Sequence, residues 1–270
     1  MLNGEANDMY DFNRCKLCGK NTAEPKYKLK GMTLYACSQC DFHFIDALDT
    51  FPTDYPDKAI SDKHRSFIES KLPQNRQQLE VDLKFVSSHI DLNEKRCLDI
   101  GTGVGMFAFL LKQAGADVSA IEPQQIFREF AQEKFQLELR PELADDTYWQ
   151  ENYAEYFDVV TIWDTLEHVN FPLETVQAAV KLLKPGGYLF LDTPSRDSLF
   201  YRSSEWSYQF SFGTRPLLLN KLYSPKPYCH KQLFTRKQLW WLLEKVGLQV
   251  VEQSPLHKAN KKLVVACRKA

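Results

Sequence analysis

The spacing of apolar and polar positions changes character three times along the chain. Before residue 48 the apolar positions come in short alternating runs. Tyr27-Lys28-Leu29-Lys30 precedes Gly31 and Met32-Thr33-Leu34-Tyr35 follows it, a pattern that predicts a hairpin turning near Gly31. Asp41-Phe42-His43-Phe44-Ile45 alternates again and predicts a strand entering the next unit. Residues 49–62, with Pro52, Pro56, several Asp and two aromatics, read as a connector. From about residue 62 to 90 the positions Phe67, Ile68, Leu72, Leu79, Leu83 and Phe85 recur at helical spacing around Pro73, which predicts two helices or one kinked helix.

Beyond residue 91 short apolar strands alternate with amphipathic helices. Strands are predicted at 96–100, 116–121, near 137–139, 157–163 and 187–192. Helices are predicted from Met106, from Glu122 to about residue 135, and over 172–183. The chain then changes to a helix over 236–246 and two strands, 248–252 and 263–268, close enough to pair as an antiparallel hairpin. Regular β/α alternation implies a parallel sheet with helices on both faces and ligands at the carboxyl ends of its strands. The predicted partition is a small unit at 10–48, a linker and helical lead-in at 49–90, and an α/β domain at 91–270.

Composition narrows the function classes. The 270 residues are 44% hydrophobic and 26% charged, the balance of a globular chain rather than a disordered or fibrous one. The 34 Lys and Arg nearly cancel the 35 Asp and Glu, so no global field favours a nucleic-acid backbone or an anionic membrane. No apolar run approaches the ~20 residues of a membrane span, and Met1-Leu2-Asn3-Gly4-Glu5 lacks a signal peptide's basic and apolar regions. The expectation is a cytoplasmic protein with no membrane span.

Four of the seven cysteines form two C-x-x-C pairs, Cys15 with Cys18 and Cys37 with Cys40. In a reducing compartment such pairs read as metal ligands, and two of them supply the S4 shell of a closed zinc ribbon. Iron competes for the same ligand set. Four thiolates leave no open coordination position, so the predicted role is a structural zinc staple. Gly19 and Asp41 follow the two pairs where the chain must turn sharply. His43 is expected to be packed or solvent-facing rather than a fifth ligand.

Gly101-Thr102-Gly103-Val104-Gly105 sits between the 96–100 strand and the helix from Met106, and Glu122 follows the next strand. A glycine turn with a later acidic residue suits a nicotinamide dinucleotide or an adenosyl cofactor, and spacing alone does not choose between them. Met106 occupies the place of the dinucleotide fingerprint's third glycine, and Asp99 puts a carboxylate where a pyrophosphate would be unwelcome. Leu98-Asp99-Ile100-Gly101-Thr102-Gly103-Val104-Gly105, Ile121-Glu122-Pro123, Phe157-Asp158-Val159-Val160 with Leu166-Glu167-His168-Val169, and Leu182-Leu183-Lys184-Pro185-Gly186-Gly187 resemble, in order, four motifs of class I S-adenosylmethionine-dependent methyltransferases.

The resemblance implies a Rossmann-like seven-stranded sheet with helices on both faces, and S-adenosylmethionine lying across its first two strands. Gly101 and Gly103 would line the methionyl part, Glu122 would accept from the ribose hydroxyls, and Asp99 would sit near the methionyl end. Asp164 joins the cofactor-binding candidates. Glu142, Asp145 and Asp146 are candidates for the adenine edge. Asp164-x-x-Glu167-His168 also resembles the cation-binding segment of ubiquinone-pathway O-methyltransferases, the alternative being a cap for the following helix. His230 in His230-Lys231-Gln232-Leu233-Phe234-Thr235 resembles a substrate-side histidine of zinc-bearing deoxysugar C-methyltransferases, the alternative being a loop-pinning hydrogen bond.

His230 and His168 are therefore the catalytic candidates. Residues 194–230 interleave Phe200, Tyr201, Trp206, Tyr208, Phe210, Phe212, Tyr223 and Tyr228 with Arg196, Arg202, Arg215, Lys221 and Lys226, which predicts an aromatic and basic lid or a second small core. The expected function is methyl transfer to a small-molecule acceptor, whether sugar, lipid-linked or aromatic. A nucleic-acid substrate gripped by the ribbon is disfavoured by the neutral charge. A non-catalytic scaffold whose ribbon binds a partner protein is disfavoured by the intact glycine loop.

Overall fold

The computed structural model describes residues 10–50, 61–213, 218–255 and 261–270. Most of the predicted connector, residues 51–60, and Arg215 of the predicted lid lie outside the described residues. The chain runs through β1 (Ala23–Leu29), β2 (Met32–Cys37), β3 (His43–Ile45), α1 (Asp62–Ser87), β4 (Arg96–Ile100), α2 (Met106–Gln113), β5 (Asp117–Ile121), α3 (Gln125–Phe135), α4 (Thr147–Asn152) and β6 (Phe157–Ile162). It continues with α5 (Pro172–Leu182), β7 (Leu183–Pro194), α6 (Leu199–Phe210), a 3-10 turn (Leu219–Lys221), β8 (Gln232–Leu233), α7 (Arg236–Lys245), β9 (Leu248–Gln253) and β10 (Lys262–Lys269).

The large sheet has strand order β5-β4-β6-β7-β10-β9. Four strands are parallel, whereas β10 runs antiparallel to β7 and β9 antiparallel to β10, as the terminal hairpin pattern predicts. Side chains alternate across it apart from an irregularity between Phe157 and Val159. Val160, Ile162, Leu189, Leu191, Val265 and Cys267 face α5 and α7, while Val159, Phe190, Val264 and Ala266 face Phe85 and Val86 of α1 and Phe107 of α2. A strand's period of two, applied to a sheet buried on both faces, produces these two cores.

The described residues hold six strands in this sheet, not seven. The strand predicted near 137–139 is reduced to a single parallel bridge between Ile121 and Arg140. Arg140 N donates to Ala120 O and Glu122 N donates to Arg140 O, both at 2.9 Å. The next acceptor along that edge, Glu122 O, takes Arg128 Nη1 at 2.9 Å instead, and Leu137 and Leu139 are buried against Ala108 and Ala131. Pro73 does not split the lead-in, which is one helix containing it.

The N-terminal unit is less separate than its sequence pattern implies. Its hairpin turns at Gly31 as predicted, but its sheet, β1-β2-β3-β8, takes a fourth strand from residues 232–233. Cys15, Leu17, Phe42 and Phe44 belong to the same buried cluster as Leu98, Val160 and Leu191 of the large sheet. The 194–230 segment packs over the other side of the small sheet, where Tyr201, Leu219 and Tyr223 are buried with Leu29, Leu34 and Ile45. Tyr27 Oη donates to Glu205 at 3.1 Å, and Lys30 N donates to Asn220 at 3.1 Å. The second small core is thus present. Phe200, Trp206 and Phe210 on the outer side of α6 are exposed.

Candidate active site

Four thiols meet at the base of the small sheet. Cys15 Sγ lies 3.6 Å from Cys40 Sγ, and Cys18 Sγ 3.7 Å from Cys37 Sγ, with all four within 4.8 Å of one another. A tetrahedral zinc with Zn–S bonds of about 2.3 Å has S···S edges of about 3.8 Å, whereas a disulfide would bring a pair to about 2.05 Å. The donor set and its spacing therefore fit a closed zinc site. The turns are built as the sequence predicts. Gly19 N donates to Cys15 O and Asp41 N to Cys37 O, both turn residues having left-handed φ, 73° and 54°. His43 is buried outside the sulfur cluster, with Nδ1 2.7 Å from Tyr201 Oη and Nε2 3.2 Å from Asp41 Oδ1. Burial lowers its pKa to about 4.

The glycine loop follows β4 at the point where β4 has β5 on one side and β6 on the other, the crevice of an open α/β sheet. Gly101 N and Thr102 N both donate to Ile121 O, folding the loop onto the end of β5. Gly103 N then donates to Glu122 Oε2 at 2.9 Å, and Gln124 N to Oε1 at 2.8 Å. Glu122 is buried, and burial pushes its pKa up to about 7. Gly103 has φ 56° and open space where a side chain would begin. Asp99 is also buried; its Oδ1 accepts from Thr161 Oγ1 at 2.7 Å, its Oδ2 has no hydrogen-bond partner, and burial raises its pKa to about 6. A cradle with room at Gly103, an orphaned carboxylate oxygen and a pinned acid one strand on are a donor set suited to an adenosyl cofactor carrying positive charge.

Two of the adenine-edge candidates have other partners. Asp146 caps α4 by accepting from Tyr148 N at 2.8 Å, and Glu142 pairs with Arg140 at 2.9 Å. Asp145 is exposed. Asp164 stands at the end of β6 with φ 44°, but its carboxylate is held 2.9 Å from Lys262 at the start of β10. Lys262 also contacts the buried Asp192.

The groups that converge at the next turn are Glu167, His168 and His230, one ligand-type atom from each lying within 4.8 Å of the others. The two imidazole rings meet edge to face with centroids 4.7 Å apart. Glu167 is 1% exposed; its Oε1 has no hydrogen-bond partner and points toward both rings, 3.7 Å from His168 Nε2 and 3.9 Å from His230 Nε2. Its Oε2 accepts from Thr193 Oγ1 at 3.2 Å, and His230 Nδ1 is 3.2 Å from Leu222 O. Burial pushes Glu167 well above the usual carboxylate range and lowers His168 to about 4; it lowers His230 as well. The turn touches the cofactor loop directly, because Thr165 Oγ1 donates to Gly101 O at 3.3 Å. That same side chain occupies the space where a Cβ on Gly101 would lie.

Several residues that hold this cluster escape a reading of the sequence. Gln232 Nε2 donates to Leu166 O at 3.0 Å and Val169 O at 2.6 Å, clamping the His168 turn from the His230 segment. Asp49, in the predicted linker, is paired with Lys231 at 2.9 Å, and Asn170 bonds both the N–H and the carbonyl of Asp49 at 2.7 Å. The available signal was the pair Lys231-Gln232 interrupting an otherwise apolar approach to Phe234.

A family model described as a methyltransferase domain matches residues 66–253. This chain belongs to that family. The match leaves out residues 10–48, which hold the four clustered cysteines. The ubiquinone biosynthesis O-methyltransferase of Xanthomonas oryzae pv. oryzae strain PXO99A is 35% identical over 121 residues, 43% of this chain and 50% of that protein. That of Actinobacillus pleuropneumoniae serotype 5b is 37% identical over 109 residues, 38% and 47% of the two chains. The chain spans about half the length of these curated relatives. Among solved structures, magnesium protoporphyrin IX methyltransferase from Synechocystis PCC 6803 with bound SAH has a TM-score of 0.54 at 15% identity, covering 80% of this chain and 91% of that one. An S-adenosylmethionine-dependent methyltransferase from Thermotoga maritima scores 0.52 at 20% identity, covering 77% and 97%. These structures establish the methyltransferase fold. No helix among the described residues is long and apolar enough to cross a membrane.

Proposed function

We propose that this methyltransferase domain transfers a methyl group from S-adenosylmethionine to a hydroxyl of a small-molecule acceptor. The observation that carries the reading is the convergence of Glu167, His168 and His230 at the carboxyl end of β6, one strand from the glycine loop and joined to it through Thr165. When bound, S-adenosylmethionine supplies an electrophilic methyl group on a sulfonium sulfur. Gly101, Gly103 and Glu122 are the residues that hold it, with the buried Asp99 carboxylate beside the loop.

A hydroxyl acceptor loses its proton as it attacks, so a base within reach speeds the step. His168 and His230 are kept neutral by burial and are free to take that proton at neutral pH. Glu167 Oε1 faces both rings from the buried side of the pair. The names of the curated relatives support oxygen as the accepting atom. In this reading the Cys15, Cys18, Cys37 and Cys40 zinc is structural.

Calorimetric titration of the metal-loaded protein with S-adenosylmethionine, followed by turnover of a panel of phenols and catechols, tests the proposal. Binding at micromolar concentration and S-adenosylhomocysteine release that depends on the phenol are expected. His230→Ala should lower turnover by about 100-fold, the usual contribution of a positioned base, while leaving cofactor affinity unchanged. A folded protein that binds neither S-adenosylmethionine nor its product would instead support a partner-binding scaffold.

A further inference from the structure

Resting on that reading, we propose that Asp49 and Lys231 are positioning residues for the acceptor site, and that through them the cysteine ribbon forms a fixed wall of that site. Lys231 is 0% and Asp49 2% exposed at the side chain, and their charges meet at 2.9 Å. Each of the two residues grips both histidine segments. Asp49 Oδ2 accepts from Tyr228 N at 2.7 Å, two residues before His230, and the Asp49 backbone is paired on both sides with Asn170, two residues beyond His168. Lys231 N donates to Glu167 O at 2.8 Å, and its Nζ donates to Lys226 O at 2.6 Å and Cys229 O at 3.3 Å.

The same two residues anchor the ribbon. Ile45 N of β3 donates to Lys231 O at 2.9 Å, and β3 pairs with β8 through His43–Leu233 and Phe44–Gln232. Lys16, inside the first cysteine turn, donates to Ala47 O at 3.2 Å, two residues before Asp49. The metal knuckles, the linker residue Asp49, and the backbone on both sides of the histidine pair therefore form one continuous hydrogen-bonded body.

A buried ion pair is a weak source of stability, because removing two charges from water costs about as much as their attraction returns. Its hydrogen bonds have directions, however, and an apolar pair of similar volume has none. An exchange of the pair for apolar residues therefore separates positioning from stability. Packing and the backbone bonds to Asn170 and Glu167 are kept, and only the side-chain grip on Lys226, Tyr228 and Cys229 is lost.

The decisive variant is the double exchange Asp49→Leu with Lys231→Met, compared with each single change by hydrogen exchange of the zinc-loaded, S-adenosylhomocysteine-bound chain. The expected result is a melting temperature and cofactor affinity close to wild type, with exchange at the amides of residues 228–232 accelerated at least about tenfold. Turnover of catechol should fall mainly in kcat, and Lys231→Arg should retain more of it than Lys231→Met. A double variant that restores stability and also keeps wild-type protection at residues 228–232 would overturn the proposal and leave the pair a packing device. Failure of wild type to methylate catechol would count against the functional reading alone, because the exchange measurement needs no acceptor.

Discussion

On the cofactor side of the cleft the candidate groups, Asp99, Gly101, Gly103 and Glu122, lie within one β-α-β unit; the Glu122 carboxylate is held by backbone N–H groups of that unit, and Asp99 reaches outside it only to Thr161 of β6. On the acceptor side, His168 follows β6, His230 follows the long segment after β7, and the residues that hold them come from the linker, from β7 and from the ribbon. A local loop can be specified by glycines and one acid, since only a few dihedrals must be fixed. A pair of rings brought from distant segments needs a frame. The ribbon supplies it, which is why a module built on four cysteines shares its sheet with residues 232–233.

The widest separation between the two sides should come from breaking the metal centre. Cys37→Ser should abolish stoichiometric zinc and lower the melting temperature by roughly 10 °C or more, since structural zinc contributes directly to folding. It should also loosen β3 and β8 while the β4–β5 loop keeps its shape. Elemental analysis with calorimetry checks the first pair of effects, and hydrogen exchange the second. A fully metallated, equally stable variant would refute the staple.

Next in size is Asp49→Ala, which leaves the Lys231 ammonium buried without its partner. The expected cost is about 3–5 kcal/mol, read as a lower midpoint in urea. The effect on cofactor affinity in the surviving folded fraction should be small. Glu122→Ala is the opposite test, confined to the cofactor side. Losing the acceptor for two ribose hydroxyls should weaken S-adenosylmethionine about 100-fold with little change in zinc content.

The smallest effect is a pH dependence. Burial raises the Glu122 pKa to about 7, and ribose hydroxyls donate to the ionised form. Cofactor affinity should therefore fall as pH drops below about 7, by up to about tenfold per unit, and level off above it. The sign reverses for the free protein. A carboxyl whose folded pKa lies above its ordinary 4.5 takes up more protons folded than unfolded, so its contribution to stability declines as pH rises from about 4.5 to 7. Titrations at several pH values, run beside thermal melts of the free protein, separate the two trends; an affinity that is flat across neutral pH would remove Glu122 from the ribose site.

The cysteine cluster, the hairpin at Gly31, the parallel sheet with its reversed last strand and the glycine loop after β4 are all legible in the residues. Each follows from spacing within a short window: two thiols per turn, a period of two or 3.6, a glycine where φ must be positive. Near 137–139 the apolar pattern has a different cause: Leu137 and Leu139 pack under α2 and α3, and the pairing with β5 is a single bridge. Asp164 was placed with the cofactor on resemblance, and the structure commits its carboxylate to Lys262, a residue from the far end of the chain.

Sequence by itself determined that the four cysteines suit one S4 metal shell, which family the central domain resembles, and that His168 and His230 are candidates for the chemistry. Only the tertiary structure decided that the two histidines meet, that Glu167 faces both, and that a linker aspartate and a lysine beside His230 tie them to the ribbon. The physical reason is the range of the interactions. Turns, strands and metal knuckles are fixed by neighbours along the chain. A buried ion pair and an edge-to-face ring contact depend on which segments the packed core brings together, and no local pattern encodes that meeting.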